Sequence, residues 1–175
     1  NVSFAFFIIL LVMHRNNINL SKKILSWYDN NKRVLPWRIS QKSKRSQYYR
    51  ILSEFMLQQT RVSTVLPYFA KWLKKFPSFT ALAKAEEKDV LKGWEGLGYY
   101  SRARNLHKLA KTISPLKSIP KDAKFWQTLP GIGPYASAAV TSISFNQAEA
   151  VCDGNVVRVL TRIFSHAELF KDGAS

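Results

Sequence analysis

Two carboxylates stand in settings that could divide acid–base chemistry between them. Glu54 lies in "SEFMLQQTRV" on a predicted helix, where it shares a face with Leu57 and Gln58 beside an apolar stripe. A carboxylic acid that keeps its proton near neutral pH can act as a general acid. Arg50 lies one turn earlier, so an exposed ion pair with Arg50 is the default interpretation for an isolated helix.

The second carboxylate, Asp153, precedes the apolar-periodic run in "CDGNVVRVL". Aspartate in that position is a common helix N-cap, and this explains the residue without any function. The amides at a helix N-terminus also favour the ionised form of a carboxyl group. An acid held ionised in this way could stabilise positive charge that develops during a reaction.

Two glycine breaks interrupt the helical pattern and could face DNA. In "LPGIGPYASAAV", Gly131 and Gly133 can take positive φ, and Pro134 suits the first turn of the helix that follows. The turn before this helix leaves backbone amides exposed, and such amides can bind phosphate. In "GLGYYSRARNLH", an aromatic wedge could enter a base stack while Arg102 and Arg104 contact phosphates. Plain turns, a core tyrosine and solvated arginines are the alternatives.

Charge is the strongest bulk signal, because 27 Lys and Arg residues face 11 Asp and Glu residues, for a net charge of +16. This excess favours nucleic acid as partner, with an anionic membrane surface second. The one cysteine, Cys152, excludes an intramolecular disulfide and is most simply a small core residue. The apolar residues 4–12 are too few to span a bilayer; we expect Met13 to be the natural start and residues 1–12 to be an upstream extension outside the fold.

Helical periodicity recurs along the chain while strand alternation does not persist, which predicts an all-α protein of eight or nine short helices. We expect Asn19 or Ser21 to cap a first helix that runs to about Asn30, and Ser78 or Thr80 to start a short one. The other helices are expected at 47–60, 61–75, 85–96, 99–113, around 122–128, 135–144 and 154–165.

Five motifs occur in an order known from one protein family: "LPWR", "SEFMLQQTRV", "GWEGLGYYSRARNLHKLA", "LPGIGPYASAAV" and "VCDGNVVRVL". Over roughly residues 18–165 the chain resembles the adenine DNA glycosylases of the MutY family, within the helix-hairpin-helix, Gly/Pro/Asp superfamily. The resemblance implies a helix-hairpin-helix DNA glycosylase fold in residues 13–175, with its six-helix barrel domain mostly present. It also implies base excision repair of double-stranded DNA, in which adenine opposite 8-oxoguanine or guanine is removed by hydrolysis.

The resemblance assigns roles to matching positions. Glu54 would protonate the flipped-out base as it leaves, and Asp153 would stabilise an oxocarbenium-like sugar. Tyr135 and Asn155 match residues that support this aspartate. The positions that match the adenine pocket are Trp37, Arg38 and Leu57. The positions that match residues probing the opposing strand are Gln58, Gln59 and Tyr99.

Endonuclease III shares the implied fold and is the nearest alternative. Its members carry a lysine nucleophile after the hairpin, where this chain has Tyr135, and they lack the acid of "SEFMLQQT". Both differences favour a glycosylase without strand cleavage. A non-catalytic DNA-binding remnant of the family is a further alternative.

The resemblance also implies parts that this sequence does not contain. Family members hold a 4Fe-4S cluster with four cysteines beyond the last helix, and the chain reaches Ser175 before any such region, so we expect the iron–sulfur region to be truncated. A C-terminal domain that recognises 8-oxoguanine and one further acid of the adenine pocket are expected to be missing too. We expect a monomer without membrane attachment that acts at the bacterial nucleoid in the cytoplasm, or in a eukaryotic nucleus or mitochondrion.

Overall fold

The computed structural model describes residues 17–40, 43 and 45–164. No strand occurs in these residues, so the all-α prediction is confirmed for the described part of the chain. None of the helices found there is both long and apolar enough to cross a membrane. The predictions about residues 1–12 and Met13 lie outside the described residues.

The chain divides into two compact units. The central unit is Val34–Gln147, and the terminal unit comprises Asn1–Arg33 and Ala148–Ser175. The helices described in the central unit are α2 (Ser46–Leu57), α3 (Val62–Lys75), α4 (Phe79–Ala83), α5 (Glu87–Trp94), α6 (Ser101–Ile113), α7 (Ala123–Gln127) and α8 (Pro134–Phe145). Those described in the terminal unit are α1 (Asn17–Asn31) and α9 (Gly154–Phe164).

Helix boundaries follow local chemistry more than periodicity. The Ser78 side chain accepts a hydrogen bond from the N–H of Ala81 at 3.1 Å and caps α4, whereas Asn19 and Ser21 lie inside α1, so the prediction that one of them caps it is wrong. Helix α6 begins at Ser101 and not at Tyr99, because the backbone at Tyr99 has a φ of 49° and cannot continue a right-handed helix.

The core of the central unit is built around α2, which packs against α3, α6 and α8. Its apolar stripe is buried, as the helical spacing predicts: Tyr48, Ile51, Leu52 and Phe55. The Trp72 indole donates to the Tyr48 hydroxyl at 2.9 Å, and that hydroxyl donates to the Phe76 carbonyl at 2.7 Å. Burial raises the pKa of Tyr48, so the hydroxyl stays a donor and fixes α2 against α3.

Helix α8 packs closely because its buried residues are small. Ala138, Ala139 and Ser142 are almost fully buried, and α8 contacts both α2 and α7. The Ser142 hydroxyl donates to the Ala138 carbonyl at 2.6 Å, and the Thr141 hydroxyl donates to the Ser137 carbonyl at 2.8 Å. These polar side chains are therefore satisfied by their own helix and can face the core.

Candidate active site

Glu54 lies near the C-terminal end of α2, where its side chain is partly buried. Removal of water from the carboxylate raises the pKa of this acid from its ordinary 4.5 to about 7. A carboxyl group with that pKa keeps its proton in a substantial fraction of molecules at neutral pH, which is the state that a general acid needs. The surroundings of Glu54 therefore suit an acid–base role, which stays a prediction.

Arg50 lies one turn before Glu54 and has other partners. Its guanidinium donates to the Ile143 carbonyl at the end of α8 and to the Ile39 carbonyl in the loop before α2, both at 2.8 Å. The interpretation of Glu54 as the partner of an exposed Arg50 is therefore wrong, because carbonyls distant in sequence take up the guanidinium. Burial also lowers the pKa of Arg50, as expected for a cation inside the domain.

The raised pKa of Glu54 predicts how stability depends on pH. The folded protein holds this proton more tightly than the unfolded chain does, so stability falls as pH rises from 4.5 to about 7, and the cost of the buried carboxylate is complete above that window. Glu54→Gln removes the cost, and we expect the free energy of unfolding at pH 8 to increase by on the order of 2 kcal/mol. Urea unfolding at pH 8 and pH 4.5 tests this, since the gain should vanish at the lower pH. Equal stability of the two proteins at pH 8 would contradict it.

The loop predicted to line the adenine pocket is anchored in the central unit. Trp37 is 3% exposed and contacts the Phe69 ring edge-to-face, with the ring centroids 5.1 Å apart. The Arg38 N–H donates to the Leu35 carbonyl at 2.9 Å and closes a turn. Leu57 is partly buried against the core at the last residue of α2. The pocket role of Trp37, Arg38 and Leu57 stays a prediction.

The residues predicted to probe the opposing strand lie in two strained turns. Gln59 has a φ of 54° and Tyr99 a φ of 49°, values that non-glycine residues rarely adopt. Such strain costs about 1–3 kcal/mol per residue and concentrates at functional sites. Tyr99 is 63% exposed and Gln59 is also exposed, so both side chains are available to a ligand. Strain of this kind cannot be detected from residue types, since neither position is a glycine.

The prediction that Arg102 contacts DNA phosphates is wrong. Its side chain is 6% exposed, and its guanidinium donates to backbone carbonyls inside the central unit, so it does not present a free charge to phosphate. Arg104, two residues later, is about half exposed and pairs with Glu87 at 3.2 Å. Burial of Arg102 lowers its pKa, because water no longer stabilises the cation.

The two glycines of the hairpin between α7 and α8 differ in backbone angle and in the space around them. Gly131 has a φ of 79°, and a Cβ there would lie 2.6 Å from the Asn105 Nδ2, so this position needs glycine both for its backbone and for its space. Gly133 has a φ of −83°, so of the two glycines that could take positive φ only Gly131 does so, and a Cβ at Gly133 would meet open space. Pro134 starts α8 as predicted, and Tyr135 follows with 38% of its surface exposed.

In the terminal unit, Asp153 caps α9. Its Oδ1 accepts from the Val156 N–H at 2.8 Å, and its Oδ2 accepts from the Asn155 amide at 3.2 Å. Arg158 donates to the Asn155 oxygen at 2.9 Å and so braces that amide, a contact that the spacing of three residues on one helix could have indicated. The predicted N-cap is confirmed.

The core position predicted for Cys152 is wrong, because its side chain is exposed.

The residues of this chain do not fit a 4Fe-4S cluster. Four cysteine thiolates are needed, and the sequence contains one cysteine. Within the described ranges, no group of three or more His, Cys, Asp or Glu side chains could hold a metal ion.

Comparison with known proteins assigns this arrangement to a family. The family described as HhH-GPD superfamily base excision DNA repair protein matches residues 52–172, which include the second half of α2 with Glu54, the hairpin and the Asp153 cap. The chain belongs to this superfamily. The HhH-GPD match runs from Leu52 through both glycine breaks, so four of the five motifs that carried the resemblance lie inside it, and "LPWR" precedes it.

Among relatives of this HhH-GPD protein, the adenine DNA glycosylases of Rattus norvegicus and Homo sapiens are 45% and 46% identical over 149 and 147 residues. That of Buchnera aphidicola subsp. Baizongia pistaciae is 41% identical over 145 residues. These matches cover 81%, 80% and 81% of this chain but only 29%, 27% and 40% of the relatives. The chain therefore spans less than half the length of the curated relatives it matches.

Solved structures confirm the helix-hairpin-helix glycosylase fold. A thermostable thymine-DNA glycosylase is 26% identical, with a TM-score of 0.69 over 83% of this chain and 69% of that one. A non-covalent endonuclease III–DNA complex is 16% identical, with a TM-score of 0.67 over 87% of this chain and 70% of that one, and shows the fold alone.

Proposed function

We propose that the chain is the part of an adenine DNA glycosylase that carries its acid, its aspartate and its DNA-binding hairpin. The substrate would be double-stranded DNA in which adenine lies opposite 8-oxoguanine or guanine. The observation that carries the proposal is the partly buried Glu54 carboxyl, whose pKa is raised to about 7, in an HhH-GPD chain similar to adenine DNA glycosylases.

The reaction would use the two acids in opposite protonation states. The bond between the sugar C1′ and the adenine nitrogen breaks, and the Glu54 proton neutralises the departing base. Water then supplies the hydroxyl that C1′ gains, and its other proton restores the Glu54 carboxyl group. The ionised Asp153 would stabilise the positive charge on the sugar in between, as a carboxylate does in glycosidases. The hydrogen bonds from Val156 and Asn155 hold this aspartate in one orientation.

The location and cofactor follow from the same proposal. An enzyme of this kind acts where genomic DNA is, at the nucleoid or in a DNA-containing organelle. A 4Fe-4S cluster, if the intact protein holds one, must take its ligands from outside this sequence, and no step above depends on it.

Adenine release from a duplex with one adenine opposite 8-oxoguanine tests the proposal directly. The intact protein should release free adenine and leave an abasic strand that breaks only after alkali, because the resemblance places Tyr135 where endonuclease III has its lysine nucleophile. Borohydride should trap no covalent protein–DNA adduct. A trapped adduct would favour the endonuclease III class, and binding without adenine release would favour a non-catalytic DNA-binding remnant.

The hairpin yields a separate prediction about affinity. Binding to any duplex should weaken steeply with salt, because phosphate contacts release counterions. Gly133→Val adds bulk where phosphate would approach yet meets open space in the protein, so it should weaken binding to all sequences alike. Fluorescence anisotropy over a salt series measures both quantities. Unchanged affinity for DNA in a Gly133→Val protein with normal thermal stability would contradict phosphate binding at the hairpin.

A further inference from the structure

Arg102 stands between the two strained turns and bonds to both. We call residues 58–61 the first turn and residues 95–100 the second turn. Nη1 of Arg102 donates to oxygens of the end of α2 and of the first turn: Phe55 O at 3.2 Å, Met56 O at 3.0 Å, Gln58 O, and Thr60 Oγ1 at 3.2 Å. Nη2 donates to oxygens of the second turn: Leu97 O at 3.1 Å and Gly98 O at 3.2 Å.

Two aromatic rings complete the surroundings of this guanidinium. Its central carbon lies 5.4 Å from the centroid of the Tyr99 ring and 5.5 Å from that of the Trp94 ring, within cation–π range of each. Trp94 is fully buried, and its indole also donates to the Gly98 carbonyl at 3.0 Å. The exposed Tyr99 ring is thus connected to the core through Arg102.

These contacts explain how two turns with unfavourable backbone angles keep their shape. Positive φ at Gln59 and Tyr99 persists only where surrounding bonds impose it. The guanidinium is planar and has donors on both terminal nitrogens, so a single rigid group can bond to carbonyls on two sides. An ammonium group has one nitrogen on a flexible stem and cannot serve both turns in the same way.

We propose that Arg102 is a positioning residue for mispair recognition, which fixes the first turn against the second so that Gln58, Gln59 and Tyr99 meet DNA as one preformed surface. This inference rests on the proposed function. Preorganisation lowers the cost of ordering the turns on binding. Its loss should reduce discrimination between duplexes and spare the general phosphate contacts, which the separate α7–α8 hairpin would make.

The test compares affinities for two duplexes in the intact protein. One contains an uncleavable adenosine analogue opposite 8-oxoguanine, and the other is fully paired. For Arg102→Lys, which keeps a buried cation, we expect the preference for the lesion duplex to fall about tenfold, the order of discrimination that one base pair supplies, while affinity for paired DNA changes by less than about twofold. Lys108→Met is the matched control, since it removes an exposed cation from the same helix and should leave the preference unchanged.

Hydrogen exchange supplies a readout that separates positioning from general stability. In Arg102→Lys, amide protection should fall in residues 58–61 and 95–100 and persist in the core of α2 and α8. Parallel loss of affinity for both duplexes, an unchanged preference in the folded variant, or global loss of helical circular dichroism would each overturn the positioning role. A parent protein without preference for the lesion duplex would overturn the proposed function together with this role, whereas a preference that the variant retains would overturn the role alone.

Discussion

Glu54→Gln should reduce adenine excision by about 10²–10⁴-fold or more while mispair binding remains nearly intact. Glutamine preserves the shape and hydrogen-bonding reach of the side chain but cannot deliver an acidic proton to the leaving base, and general acid catalysis is typically worth this factor. The parent protein should also lose this activity as pH rises through about 7, because the proposed general acid would have to be protonated to act. Single-turnover kinetics on a duplex with one adenine opposite 8-oxoguanine measures both effects.

The control for this prediction is Glu86→Gln, which removes an exposed acid from the turn before α5 and should leave excision unchanged. Because Glu54→Gln is expected to stabilise the fold at neutral pH, low activity cannot be ascribed to unfolding if the stability measurement comes out as predicted. Near-normal excision by Glu54→Gln would remove the general-acid role and, with it, the main support for the proposed function.

Asp153→Asn should reduce excision by about 10²–10³-fold, the usual cost of removing one electrostatic contact to a transition state. Asparagine is as good an N-cap as aspartate, so the start of α9 should survive while the negative charge opposite the sugar is lost. The measurement is again single-turnover excision, with binding followed on the uncleavable duplex.

A second capping aspartate provides the matched control. Asp122 accepts hydrogen bonds from the N–H groups of Lys124 and Phe125 and caps α7, so Asp122→Asn makes the same chemical change at a helix start with no proposed part in the chemistry. Equal, small effects of the two substitutions on excision would show that Asp153 serves only as a cap.

Much of the helical frame could be predicted from local patterns. The buried stripe of α2 follows from spacing, Pro134 marks the start of α8, and Asp153 precedes the run that becomes α9. These features depend on interactions within a few residues, and a sequence displays such interactions directly. The family resemblance predicts roles that residue types alone leave open. The sequence of the Glu54 helix by itself favours a surface ion pair with Arg50.

Two of the wrong predictions concern arginine side chains whose partners lie far away along the chain. Arg50 bonds to carbonyls 11 and 93 residues away, and Arg102 to carbonyls as many as 47 residues away. A helical projection places each arginine on a face but cannot show which backbone oxygens the fold brings to that face. An arginine in a basic chain therefore suggests phosphate binding even where its role is to connect loops.

Substitutions at the two hairpin glycines should affect the amount of protein in a cell differently. A side chain at position 131 would collide with Asn105, and the residue would have an unfavourable backbone φ. More molecules would then occupy unfolded states that proteases degrade. A side chain at Gly133 meets open space, so cellular abundance should stay normal. Immunoblots should accordingly show depleted protein for Gly131→Val and normal amounts for Gly133→Val. Growth at low temperature should raise the amount of the Gly131→Val protein towards normal.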